Sequence, residues 1–196
     1  MFFLNWTLLF FFIFWFCLLF FPKLTRKFSR AVFIAAVVLI FSAAASIAYL
    51  QYQFWLSNDF TKLFLPPHQS PVFFLQYILT RFFGAHLISL AVALIGAALL
   101  KIINRRAGGR FFYNEEPVYF ATAAFLVGHP NWLIYILVLL IFSFSFSLLF
   151  RLQFKTKANF KISFYSLWVP SGIIAIIIGE WLARFSWWNI LILAAS

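Results

Sequence analysis

The chain has 196 residues, of which 65% are hydrophobic and 10% are charged. A water-soluble fold of this length cannot bury so much apolar surface, so the composition excludes a soluble globular protein and predicts an integral membrane protein. Lys and Arg number 15 against 4 Asp and Glu, which gives a net charge of +11. Because these cations flank apolar runs, we assign them to topology control and anionic lipid headgroups, and we expect no nucleic-acid partner.

The first apolar run, Met1–Phe21, is uncharged and rich in phenylalanine. It lacks a basic segment before it and a small-residue cleavage site after it, so we interpret it as a retained membrane helix and not as a signal peptide. The second predicted span is Ala31–Leu50, which contains the small residues Ala43–Ser46. Small side chains let helix backbones approach closely in lipid, so this face is expected to pack against another helix.

A proline-containing loop separates these spans from the apolar segment Val72–Phe83. That segment has a length of about 18 Å as a helix, too short to cross alone, and it is expected to be half of a broken or re-entrant element. Gly84–Ile103 is long enough to span the membrane, and Ala93, Gly96 and Ala97 give it a second small-residue face.

The C-terminal half alternates short and long apolar segments. Pro117–Val127 is short and is followed by a turn at Gly128-His129-Pro130, after which Trp132–Phe150 and Phe164–Ala183 are each predicted to span. The sequence therefore predicts an all-α, polytopic bundle of about six membrane helices plus short broken or re-entrant segments. Residues 1–196 are expected to form a single integral membrane domain.

Three loops carry four positive charges each. They are Lys23, Arg26, Lys27 and Arg30; Lys101, Arg105, Arg106 and Arg110; and Arg151, Lys155, Lys157 and Lys161. The positive-inside rule predicts that all three loops are cytoplasmic. With two crossings between successive loops, this topology puts the loop of Asp59 and the loop of Glu116 on opposite sides of the membrane.

The four acidic residues, Asp59, Glu115, Glu116 and Glu180, are the candidates for membrane chemistry. Glu115 and Glu116 precede or begin a predicted helix, where a capping role is the favoured explanation over a catalytic one. The three histidines share no metal-ligand spacing, so no metal site and no cofactor are predicted.

Three stretches together carry a family resemblance. They are Tyr113-Asn114-Glu115-Glu116, Gly128-His129-Pro130 and Lys161-Ile162-Ser163-Phe164-Tyr165-Ser166. In their order and spacing they resemble the motif, turn and loop of type IV prepilin peptidases, the intramembrane aspartic enzymes that process pilin and pseudopilin leaders. The resemblance extends over residues 31–183 and implies a bacterial cytoplasmic membrane protein.

The chain departs from that family at the residues that matter for hydrolysis. Tyr113 and Glu115 replace both motif glycines, Glu116 replaces the motif aspartate, and no acid lies near Leu50 or Gln51, where the resemblance would place the second one. The cysteine-rich region of many members is absent. An aspartic mechanism requires two carboxylates that share a proton. With these replacements, the sequence lacks the usual catalytic pair.

Three functional hypotheses follow from this pattern. The first is a divergent, inactive prepilin-peptidase-like protein that binds a pilin or pseudopilin leader helix or assists pilus assembly. The second is an active peptidase whose catalytic residues are Glu116 and Asp59. The third is a small membrane scaffold or transporter component. The sequence leaves open whether the protein is an enzyme.

Overall fold

The structure is a computed structural model that describes residues 10, 13, 14, 17, 20–109, 113–154 and 167–191. Most of the predicted Met1–Phe21 helix, the cation Arg110 and the Lys161–Ser166 stretch of the family resemblance lie outside these residues. The individual positions described before Phe21 have helical backbone conformation.

The described part of the chain is built from helices and contains no strand, which confirms the all-α prediction. The α-helices are α1 (Pro22–Ser57), α2 (Pro71–Ile78), α3 (Gly84–Arg106), α4 (Glu116–Val127), α5 (Trp132–Phe154), α6 (Trp168–Leu182) and α7 (Ser186–Asn189). A short 3-10 helix, Thr61–Phe64, follows α1, and a π-helical turn, Leu79–Phe83, joins α2 to α3.

Three described helical stretches are long and apolar enough to cross a membrane. They are Thr25–Ser57, Pro71–Arg106 and Trp132–Leu149. The apolar helices Glu116–Val127 and Trp168–Leu182 are shorter. These lengths and compositions are compatible with the predicted membrane protein, whereas the prediction of six membrane helices goes beyond the described structure.

One predicted segment needs correction. Val72–Phe83 is not a separate half-helix, because the π turn connects it to α3 in one continuous helical stretch. Gly84, the first residue of the next predicted span, has helical dihedrals of φ −55° and ψ −51°. Within this stretch, the Thr80 hydroxyl donates to the carbonyl oxygens of Gln76 and Tyr77. A π turn of this kind accommodates an extra residue without ending the helix.

Of the predicted span Phe164–Ala183, the structure describes the helix α6, which begins at Trp168 and has 15 residues; Phe164–Ser166 lie outside the described residues. Pro170 lies in the first turn of α6, where a proline removes no intrahelical hydrogen bond. Pro117 occupies the same kind of position in α4, as the sequence predicts.

Helices α1 and α3 run antiparallel. The ring of Phe41 on α1 lies 6.0 Å from that of Phe83 and 6.4 Å from that of His86, while Tyr52 further along α1 lies 5.4 Å from Phe74 of α2. The N-terminus of α1 and the C-terminus of α3 therefore share one end of the pair, which we call the basic end. Its cations are Lys23, Arg26, Lys27 and Arg30 of α1 with Lys101, Arg105 and Arg106 of α3.

Helix α4 lies at the centre of the described structure. Ten of its 12 residues are buried. Phe125 lies 6.3 Å from the rings of both Phe33 and Phe41 on α1, and Phe120 packs over Gly96 of α3. A short helix that is buried on all sides is typical of a protein core and not of a lipid-facing span.

The close approach of α3 and α4 depends on the missing side chain of Gly96. A Cβ at this position would lie 2.7 Å from Cζ of Phe120. We expect Gly96→Ala to lower the unfolding free energy by about 1–3 kcal/mol, because overpacking forces the ring or the helix to move. The measurement is SDS-induced unfolding from mild-detergent micelles.

The matched control is Ala98→Leu, which enlarges an exposed side chain on the same helix and should leave the unfolding midpoint unchanged. The double variant Gly96→Ala/Phe120→Leu should be more stable than the sum of its single changes predicts. A Gly96→Ala protein as stable as the parent would contradict this account of the interface.

Candidate functional site

Glu116 is the first residue of α4 and is fully buried, with 0% of its surface exposed. The sequence begins a helix here because Pro117 has a backbone angle suited to the first turn and lacks an N–H that would need a partner. An acidic side chain in the first turn also interacts favourably with the positive end of the helix dipole. Of the two acids predicted to cap the helix, Glu115 occupies the N-cap position without a side-chain cap hydrogen bond, and Glu116 is the first helical residue.

The Glu116 carboxyl group accepts hydrogen bonds from two other elements of the described structure. Its Oε1 accepts from the backbone N–H of Tyr113 at 3.4 Å, and its Oε2 accepts from the indole Nε1–H of Trp168 at 3.3 Å. The backbone N–H of Glu116 in turn donates to the carbonyl oxygen of Tyr113 at 3.2 Å. The carboxyl group thus stabilises the start of α4 and connects it to the start of α6.

The basic end of α1 lies next to this carboxyl group. The guanidinium carbon of Arg26 is 5.5 Å from the centre of the Tyr113 ring, a cation–π contact. Since the Tyr113 backbone contacts Glu116, the acid lies at the edge of the bundle where the cations of α1 and α3 are gathered.

Buried hydroxyl groups extend the polar character of this interface between α4, α5 and α6. The ring of Tyr135 lies 5.7 Å from that of Phe120, and the ring of Trp168 lies 5.9 Å from the same phenylalanine. Ser171 is one turn beyond Trp168 on α6. The side-chain oxygens of Tyr135 and Ser171 are buried and have no hydrogen-bond partner among the described residues. We call the hydrogen-bonded residues Tyr113, Glu116 and Trp168 the Glu116 cluster.

Asp59, the proposed partner of Glu116, lies at the other end of α1. It follows the C-terminus of that helix and is exposed, and the side chain of the preceding Asn58 accepts from the N–H of Phe60. From Arg26, which is near Glu116, to Ser57 the helix is about 46 Å long at 1.5 Å per residue. The structure does not bring the two candidate catalytic residues together, in agreement with the topology inferred from the charges.

The other acids do not supply a second carboxylate either. Glu115 is the neighbour of Glu116 in the chain but is half-exposed. Glu180 is exposed and lies 12 positions after Trp168 on α6, about 18 Å along the helix. Glu116 is therefore a single enclosed carboxyl group, whereas a proton-sharing pair needs two carboxyl groups in one cavity.

The histidines occupy three different environments. His129 connects two parts of the chain, since its Nδ1 accepts from the Trp132 indole at 3.1 Å and its Nε2 donates to the carbonyl oxygen of Leu191 at 2.9 Å. His86 lies beside Phe41, and His68 is exposed in the loop after the 3-10 helix. Within the described ranges, no three or more His, Cys, Asp or Glu residues are grouped so as to hold a metal ion.

A separate cavity of about 510 Å³ lies between α1, the start of α3 and the C-terminal end of α4, and Phe10 of the N-terminal run also lines it. Its walls are mainly apolar and include Ala36, Ala43 and Ala44, and Arg81 and His86 contribute nitrogen-containing side chains. The sequence analysis did not identify this cavity. The feature of the sequence that could have indicated a polar site here is Arg81, a cation within a long apolar stretch.

Comparison of the chain with protein-family models, with curated proteins and with solved structures finds no match. The resemblance to prepilin peptidases therefore rests on the residues of this sequence alone and stays a prediction.

The Glu116 cluster predicts how the bundle responds when the carboxyl group is removed. We expect Glu116→Ala to lower the unfolding free energy by about 1–3 kcal/mol, because it leaves the buried Trp168 N–H without this acceptor. Glu116→Gln retains an acceptor oxygen and should lower the unfolding free energy by a smaller amount than Glu116→Ala. SDS-induced unfolding measures both.

Glu115→Ala is the matched control, since it removes a half-exposed carboxyl group one residue away and should change stability by no more than about 0.5 kcal/mol. Equal losses in Glu115→Ala and Glu116→Ala would show that the hydrogen bond to Trp168 does not stabilise the protein.

Proposed function

We propose that the protein is a non-hydrolytic, prepilin-peptidase-like component of a bacterial cytoplasmic membrane that binds the apolar leader helix of a pilin or pseudopilin. The observation that carries this proposal is the single buried carboxyl group of Glu116, which lies near Arg26, whereas Asp59 follows the opposite end of α1. From Arg26 to Ser57 that helix is about 46 Å long. A membrane protein with one such group retains a binding surface but lacks the pair of acids that hydrolysis requires.

The bounds of α4 support the part of the proposal that concerns the resemblance to prepilin peptidases. The helix begins at Glu116 and ends before Gly128, which are the two landmarks of the resemblance. Gly128 has φ +78° and ψ 170°, a backbone conformation that favours glycine. If the Met1–Phe21 run and the two short apolar helices are counted with the three long ones, the proposed bundle has six membrane helices.

A lipid-facing surface of α1 offers a place for the partner helix. Ser42, Ala45 and Ser46 are exposed and lie on one face, since their spacing is three and four residues. Small residues on such a face permit close contact between helices in lipid. The small-residue face of α3 already packs against α4, because Phe120 covers Gly96.

The absence of a carboxylate pair predicts the result of a cleavage assay. Purified protein in detergent, mixed with a full-length prepilin, should release no leader peptide above the background of a protein-free reaction. Gel electrophoresis with mass spectrometry of the products is the measurement. Leader release that disappears in Glu116→Gln and in Asp59→Asn would overturn the non-hydrolytic proposal and favour the two-acid peptidase.

The proposed binding surface predicts a loss of leader binding when its small residues are enlarged. In proteoliposomes, Ala45→Leu should weaken binding of a labelled leader helix by about fivefold, the effect of losing roughly 1 kcal/mol of helix contact. Fluorescence transfer between labelled protein and labelled helix is the measurement.

Ala98→Leu makes the same change on the exposed side of α3 and should leave binding unaffected. If the leader does not bind the parent protein at all, the leader-binding proposal fails and the scaffold or transporter hypothesis gains support. If both variants bind as well as the parent, the leader binds at another surface.

A further inference from the structure

The cavity between α1 and α3 has the properties of a ligand site, and its lining does not include Ser42, Ala45 or Ser46 of the proposed leader-binding surface. Its volume of about 510 Å³ is within the range of pockets that hold small molecules. The walls are aliphatic and aromatic, apart from Arg81 and His86 on the side formed by the π turn and α3. An apolar cavity with a few polar groups at one place suits an amphiphile.

The position of Arg81 along the helix indicates where the polar part of such a ligand would lie. Twenty residues separate Arg81 from Lys101 at the basic end, a helical distance of about 30 Å. That length is close to the thickness of the hydrocarbon core, so the long Arg81 side chain can reach toward the membrane interface opposite the basic end. His86 is about 8 Å nearer to Lys101 along the helix, on the apolar side of Arg81.

The cavity is open at its side. Leu39 contributes to its lining and is 65% exposed, and Arg81 is exposed as well. In a membrane, the exposed faces of α1 and α3 contact acyl chains. The molecules with direct access to this opening are therefore the lipids of the bilayer.

We propose that this cavity binds an anionic phospholipid, with one acyl chain among Ala36, Ala43, Ala44 and Phe82 and the phosphate group near Arg81 and His86. Arg81 brings a permanent positive charge to the opening. None of the chain's four acidic residues lines the cavity. The charge of the site therefore complements an anionic headgroup.

The size of the cavity favours a lipid chain over a protein helix. An α-helix has a diameter of about 10 Å, so a volume of this size holds little more than one of its turns. An acyl chain is narrower and can follow the groove between α1 and α3. The site is also at the interface opposite the cations of the basic end, so lipid binding there can be distinguished from binding at those cations.

Native mass spectrometry of the protein in detergent tests the preference for an anionic headgroup. Phosphatidylglycerol and phosphatidylcholine with identical acyl chains are titrated separately. We expect the parent protein to bind phosphatidylglycerol more tightly. Arg81→Gln should weaken that binding by about fivefold and weaken phosphatidylcholine binding less, because the choline cation of phosphatidylcholine offsets the charge of its phosphate.

Lys62→Gln is the matched control, since Lys62 is an exposed cation of the 3-10 helix that does not line the cavity, and this variant should behave as the parent. Ala44→Phe fills the cavity without changing a charge and should weaken binding of both lipids. Equal affinity for the two lipids in the parent, or an unchanged preference in Arg81→Gln, would overturn the proposal.

Photo-crosslinking in vesicles locates the bound chain. A phosphatidylglycerol with a diazirine in its acyl chain should label peptides covering residues 36–47 and 82–86. Labelling confined to residues 23–30 would place the lipid at the basic end and overturn the assignment. Disulfide-linked dimers of Ala43→Cys, made in a Cys17→Ser background, would show that a second copy fills the cavity and would also overturn it.

Discussion

The organisation of this protein depends on one constraint, which is that α4 is too short to cross a bilayer. Its 12 residues extend about 18 Å, while the hydrocarbon core is about 30 Å thick. The unpaired backbone groups at a helix end inside lipid need partners from the protein itself. Helix α4 is accordingly enclosed by α1, α3, α5 and α6. The glycine at position 96 and the small residue Ala93 allow α3 to approach it, and the rings of α1 pack around Phe125.

The enclosure of α4 also explains the chemistry at its N-terminus. A carboxyl group buried without hydrogen bonds would strongly destabilise the fold, but Glu116 accepts from the Tyr113 backbone and from the Trp168 indole. The acid therefore stabilises the junction of α4 and α6, and the helix dipole favours its position. These roles require one carboxylate. None of these roles requires a second carboxylate from Asp59. The position of Asp59 beyond the far end of α1 suits the polar end of a membrane helix.

The sequence was sufficient to predict the long helices, the start of α4 at Glu116-Pro117 and the turn at Gly128, because apolar length, proline and glycine act locally. It was misleading at Gly84, since glycine alone does not reveal whether a π turn continues the helix. The partnership of Glu116 with Trp168 joins residues 52 positions apart and has no local signature. The cavity was equally hidden, because it arises from the relative positions of α1, α3 and α4 and from no single segment.

Helix α1 presents different surfaces to its surroundings, and this difference bears on what the protein does. Toward the bundle it contributes phenylalanines that pack on α4. Beside α3 it contributes Ala36, Ala43 and Ala44 to an apolar cavity, and toward the bilayer it exposes Ser42, Ala45 and Ser46. Each surface is suited to contact through shape and packing, since none contains a nucleophile with an adjacent base. The proposed lipid and the proposed partner helix therefore occupy neighbouring faces of the same helix. If binding of one of them shifts α1, it also changes the affinity of the protein for the other.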